Sequence, residues 1–124
     1  MSRYQASPIM EPKELAAVLA TRRREENLTI ALANGCFDLL HPGHIAFLQG
    51  AAAEADILVV GINADETVRA LKGRGRPIMG AADRARLVTA LVMVDYATIF
   101  AEPTADRLIE LLRPNVHCKG TDYN

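Results

Sequence analysis

Residues 28–62 read LTIALANGCFDLLHPGHIAFLQGAAAEADILVVGI, and two apolar runs within them decide the fold. The first, residues 28–33, lies between Asn27 and the pair Asn34-Gly35. The second, residues 57–62, is rich in β-branched side chains and almost wholly apolar. Unbroken runs of this kind mark strands buried on both faces of a parallel sheet, where alternation with polar residues is lost. Between them a helix is expected over residues 42–53. Pro42 suits its first turn, where the missing N–H costs nothing, and Ile45, Leu48 and Ala52 share a face. Strand, helix, strand predicts a parallel βαβ unit.

The flanking sequence extends the alternation. Residues 11–26 show a helical pattern with Leu15, Val18 and Leu19 on one face, and residues 1–10, with Pro8, are expected to be a flexible leader. Downstream, residues 65–71 predict a short helix and residues 72–80, with three glycines and a proline, a loop. Residues 83–94 predict a helix with Leu87, Val88, Leu91 and Val92 inward, and residues 96–100 a third strand. Thr104 is placed to cap a helix ending near Leu112, and Pro114 leads into a fourth strand over residues 115–118. The fold class is therefore α/β: a Rossmann-like, open, mostly parallel sheet with helices on both faces, formed by residues 1–124 as a single domain.

Composition narrows the function. The 124 residues carry a net charge of -1, which leaves no electrostatic footprint for nucleic acid. The run Arg22-Arg23-Arg24 is followed at once by Glu25-Glu26 and reads as a solvated helix end. There is no stretch of membrane-spanning length and no signal peptide in residues 1–10, so a cytoplasmic protein is expected. Two cysteines, Cys36 and Cys118, lack metal-type spacing and fit a reducing compartment.

In parallel sheets ligands bind beyond the carboxyl ends of strands, which directs attention to residues 34–44, 63–65 and 119–123. In the first of these, Gly35 and Gly43 let backbone approach a ligand closely. The first N–H groups of the helix that follows lack internal partners and carry the positive end of its dipole, an anion site. His41 and His44, three apart, can project from the same side of that turn and donate to phosphate oxygens. Two other readings stand beside this one. The pair could bind zinc with Cys36 as a third ligand, or it could simply cap the helix. Cys36 itself reads as a small buried residue rather than a nucleophile, and His117 as a packed strand side chain.

The segment Gly-Cys-Phe-Asp-Leu-Leu-His-x-Gly-His at residues 35–44 resembles the signature of the cytidylyltransferase-like nucleotidyltransferases. Asn34, Val60-Gly61-Ile62-Asn63-Ala64-Asp65, Leu71-Lys72-Gly73 with Arg76-Pro77, Asp83-Arg84, Val94-Asp95-Tyr96 and Lys119-Gly120-x-Asp122-Tyr123 are similar to the adenylyltransferase domain of ADP-heptose synthase. The resemblance implies an enzyme that transfers AMP from ATP to a heptose 1-phosphate, releasing pyrophosphate with Mg²⁺. CTP with glycerol 3-phosphate is the alternative chemistry, and a non-catalytic nucleotide-binding module the alternative class. Carried over by position, His41, His44, Lys72 and Arg84 would act on the phosphates. Asn34, Gly35, Cys36, Phe37, Asp38, Gly43, Lys119 and Asp122 would bind the nucleotide, with Asp38 supporting the turn or a metal-bound water. No protein metal ligand set is implied. The family continues past residue 123 into a further helix and strand, so the sheet is expected to be C-terminally shortened. Its open edge would favour a homodimer.

Overall fold

The computed structural model describes residues 5–119. Pro12–Glu26 forms α1, Ile30–Gly35 β1, Pro42–Ala52 α2 and Ile57–Asn63 β2. Asp65–Lys72 is α3, Ala81–Thr89 α4, Tyr96–Phe100 β3, Asp106–Leu112 α5 and Val116–Lys119 β4. The strands lie in the order β3-β2-β1-β4, and every pairing is parallel. The expected α/β architecture is the one observed.

Both faces of β1 and β2 are covered, which is why their sequences do not alternate. On one face Ala31, Ala33, Leu58, Val60 and Ile62 pack with Leu48 of α2 and Ala85 and Val88 of α4. On the other, Ile30, Leu32, Ile57 and Val59 meet Leu15 and Leu19 of α1 and Leu108 and Leu112 of α5. Chain order sends β2 and β3 to one side of β1 and β4 to the other. The switch point therefore lies between the carboxyl ends of β1 and β4, where a crevice opens in such sheets.

Several details differ from the sequence-based expectations. β1 runs to Gly35, two residues beyond the apolar run, because the register carries Asn34 and Gly35 opposite Gly61 and Ile62. α4 stops at Thr89: the N–H groups of Ala90, Leu91 and Val94 each reach back only three residues, to Leu87, Val88 and Leu91. Val92 is consequently 93% exposed rather than inward, and Leu87 is exposed too. Thr104 does not cap α5, whose N-cap is Ala105 with no side-chain bond. Residues 7–10 are tied down rather than loose. Ile9 bridges Ala97, Ser7 N–H donates to Thr89 O, and Ala97 N–H donates to Pro8 O, so this segment covers the outer edge of β3.

Candidate active site

The turn after β1 folds around two buried side chains. Phe37 takes a left-handed backbone (φ 50°), a conformation that costs a non-glycine residue roughly 1–2 kcal/mol. Its ring is buried beneath the turn, with its centroid 5.5 Å from that of His44. Gly35 is needed there, since a Cβ on it would stand 2.9 Å from the Phe37 ring. Asp38, also buried, accepts the backbone N–H groups of Ile78 and Met79 at 2.9 and 3.0 Å and the Arg76 guanidinium at 2.6 Å. Burial opposes its ionisation, but the Met79 and Ile78 N–H groups and Arg76 outweigh that and hold its carboxyl below the usual range. Asp38 thereby latches the glycine-rich segment onto the turn.

The helix start is built differently from the anion site expected of bare N–H groups. Pro42 has no N–H, and Gly43 donates its own to His41 Nδ1 at 3.1 Å. The N–H groups of His44 and Ile45 go to His41 O. His41 N–H in turn donates to His44 Nδ1 at 3.2 Å, which completes a reciprocal capping box. The first N–H groups of the helix are thus already engaged. Because each ring accepts at Nδ1, the neutral imidazole carries its proton on Nε2. The two rings lie together, centroids 3.9 Å apart. Capping and phosphate binding, set out above as alternatives, are compatible in this geometry: the cap fixes the tautomer and aims the rings.

His41, His44, Cys36, Phe37, Asp38 and Lys72 converge on one pocket of about 220 Å³, joined by Leu39 and Arg76. Lys72 is the last residue of α3 rather than part of the loop. Gly43 shapes the pocket, since a Cβ there would sit 2.8 Å from the His41 ring. Asn34 and Lys119 line a second depression of about 380 Å³ at the switch point, together with Asn63, Leu71, Asp106 and His117. Leu71 and Lys72, consecutive in α3, line one cavity each. Asp122 lies outside the described residues.

Two residues are corrected. Arg84 was offered to a phosphate, but its side chain is wholly buried and lines neither cavity. Its Nη1 donates to Cys36 O and Asn63 O at 2.7 Å each, Nε to Met79 O at 2.9 Å, and Nη2 to Asp65 Oδ1 at 2.7 Å. With four of its five donors used inside the protein, it ties the ends of β1 and β2 to α3 and to the segment before α4. His117 is no packed strand residue. It is exposed, lines the switch-point cavity, and its Nε2 lies 2.5 Å from Asn34 Oδ1. Partial desolvation of the ring against its neighbours, then the Lys119 charge, lower its pKa against an opposing pull from Asp106. Sequence reasoning missed Arg76, whose position three residues beyond Gly73 in a flexible-looking loop was the available signal.

The motif at 34–44, the strand order and the cation-lined pocket agree with the family comparison. A family model described as cytidylyltransferase-like matches residues 32–123. The chain belongs to that family. Bifunctional protein HldE of Nitrobacter hamburgensis is 52% identical over 101 residues, which cover 82% of this chain and 21% of that protein. Bifunctional protein HldE of Helicobacter pylori J99 is 45% identical over 119 residues, 96% of this chain and 25% of that one. Among solved structures, the lipopolysaccharide core biosynthesis protein from Thermoplasma volcanium GSS1 superposes with a TM-score of 0.66 at 31% identity, covering 73% of this chain and 72% of that one. This member of the cytidylyltransferase-like family therefore spans about a fifth to a quarter of the HldE proteins it matches. No helix among the described residues is long and apolar enough to cross a membrane.

Proposed function

We propose that residues 32–123 form the nucleotidyl-transferring unit of a cytoplasmic enzyme that joins ATP to a heptose 1-phosphate or a similar sugar phosphate. One observation carries the reading. Backbone N–H groups hold both Nδ1 atoms of the His41/His44 pair, which leaves the ring protons on Nε2 in a pocket that Lys72 and Arg76 also line. That is a set of preorganised donors and cations suited to a triphosphate.

In this reading an oxygen of the sugar phosphate attacks the α-phosphorus, the bond to the bridging oxygen breaks, and pyrophosphate leaves. No protein nucleophile is needed, so the residues position the reactants and neutralise charge. His41 and His44 donate to the oxygens on which charge develops, and each N–H accepted at Nδ1 polarises the ring and strengthens its Nε2–H donor. Lys72 and Arg76 offset the charge of the departing pyrophosphate. Asn34, His117 and Lys119 line the neighbouring cavity, where the nucleoside or the acceptor would sit.

The donor set does not build a metal cage. Although Cys36, Asp38, His41 and His44 line one pocket, no three His, Cys, Asp or Glu among the described residues are arranged to hold a metal ion, and Asp38 is already engaged by three donors. Mg²⁺ would instead enter on the triphosphate, whose oxygens it holds, and there it neutralises phosphate charge.

The test is pyrophosphate release with Mg²⁺ and each pairing of ATP or CTP with heptose 1-phosphate or glycerol 3-phosphate. Release with ATP and the heptose phosphate, reduced on the order of 10²–10³-fold by His44→Ala, is expected. Release with CTP and glycerol 3-phosphate alone would replace the substrates. Calorimetric nucleotide binding with no release under any pairing would make this a binding module.

A further inference from the structure

At the opposite edge of the sheet lies a second concentration of cationic side chains. Arg23, Arg24 and Arg113 line a cleft of about 540 Å³ between α1 and the end of α5, with Ala16, Ala20 and Leu111 as its apolar lining. The helices run back against the strands they connect, so the carboxyl ends of α1 and α5 stand at the amino edge of the sheet. His41 and Lys72 stand at the other.

The charge in this cleft is not balanced from within. Arg22 is bound to Glu26 at 2.8 Å. No carboxylate among the described residues pairs with Arg23, Arg24 or Arg113, and none lines the cleft. Arg23 donates to the carbonyl oxygens of Leu112 and Arg113, which fixes one guanidinium in the wall. Burial and the neighbouring Arg113 charge both lower its pKa, so like charges face one another here. Arg113 itself occupies a left-handed helix-end position (φ 55°), where glycine or asparagine is the ordinary choice. The alanines, one turn apart on α1, leave the space that larger side chains would fill.

We propose that this cleft binds a phosphate-bearing small molecule between the guanidinium groups of Arg23, Arg24 and Arg113. The planar guanidinium fork matches phosphate oxygens bidentately, and three such groups suit an anion of more than one charge. The cavity has the size of small-ligand sites. The chain's net charge of -1 disfavours nucleic acid as the occupant. The site is independent of the pocket at His41, whatever reaction that pocket supports.

The experiment is a backbone amide NMR titration of the full chain with inorganic pyrophosphate at constant ionic strength. Saturable shifts are expected at residues 16–24 and 111–113, separate from those at residues 41–44. Arg113→Gly suits the φ of 55° and so keeps the fold. It should weaken binding at the cleft about tenfold while the shifts at 41–44 persist, as should Arg24→Ala. Any of three results overturns the proposal: no saturable shift at the cleft, equal shifts with chloride, or equal affinity for succinate. Unchanged cleft affinity in both variants would overturn it as well.

Discussion

Arg84 Nη1 lies 2.7 Å from the carbonyl oxygen of Asn63, the last residue of β2, with no solvent reaching the guanidinium. The same nitrogen holds Cys36 O, just past β1, so one side chain sets the spacing of the two strand ends that frame the pocket. Its charge partner Asp65 is 46% exposed, and that ion pair is screened. The stabilising contribution therefore rests on the buried carbonyls.

Replacing Arg84 removes the donor from Cys36, Asn63 and Met79 together. Arg84→Ala is expected to lower stability by roughly 1–3 kcal/mol for each buried carbonyl left without a donor. Arg84→Lys keeps the charge but has three donors in the wrong geometry, so it should recover only part of the loss. Denaturant midpoints measure both. Equal midpoints for wild type and Arg84→Ala would remove this residue from its structural role.

The same residue shows where sequence reasoning stops. An arginine at the start of a predicted helix looks like a surface group or a phosphate ligand, because nothing local records that two strand ends will converge on it. The strands were legible because burial on both faces leaves an unbroken apolar run, as in residues 57–62. The turn at 34–44 was legible because its glycines, proline and paired histidines each have a specific backbone use. The end of α4 was not. Leu91 and Val92 continue an apolar pattern, yet the chain must turn early so that Asp95 can exchange hydrogen bonds with Leu58. His117 was misread for a similar reason: among the described residues β4 lies at the edge of the sheet, and only the strand order shows that its end opens onto the crevice.

Asp38 makes the loop over residues 76–79 sensitive to acid. Its carboxyl is held below the ordinary value, so it stabilises the fold above the usual carboxylate pH. That stabilisation is lost as pH falls through the depressed value. Amide exchange at Ile78 and Met79, corrected for intrinsic rates, should therefore rise in that acid range ahead of exchange in β1 and β2. Asp38→Asn should show the faster exchange already at neutral pH. Exchange at Ile78 and Met79 that tracks the strands at every pH would mean that the latch is not local.

Gly43→Ala separates function from stability. Alanine favours a helix by about 1 kcal/mol, but the new Cβ would stand 2.8 Å from the His41 ring and displace it. The exposed ring can move, so the melting temperature should shift by no more than a few degrees. The cap on Nδ1 and the aim of the ring should both be lost. Nucleotide affinity is expected to fall about tenfold, a change of ~1.4 kcal/mol. Calorimetry of ATP binding beside a thermal melt tests this, and unaltered affinity would show that the His41 ring does not touch the nucleotide.

Thr98 provides a test that does not depend on any functional reading. Its Oγ1 is fully buried in β3 and has no hydrogen-bond partner among the described residues. A buried hydroxyl left in that state costs roughly 1–3 kcal/mol in desolvation. Thr98→Val keeps the shape and the β-branch while removing the polar atom, so the usual objection to this exchange, the loss of a hydrogen bond, does not apply. The variant should be at least as stable as wild type and gain up to about 1–2 kcal/mol, read as a higher denaturant midpoint at unchanged slope. A lower midpoint would mean that the hydroxyl is satisfied in solution by a bound water, and β3 would then contain a hydrated site within its core.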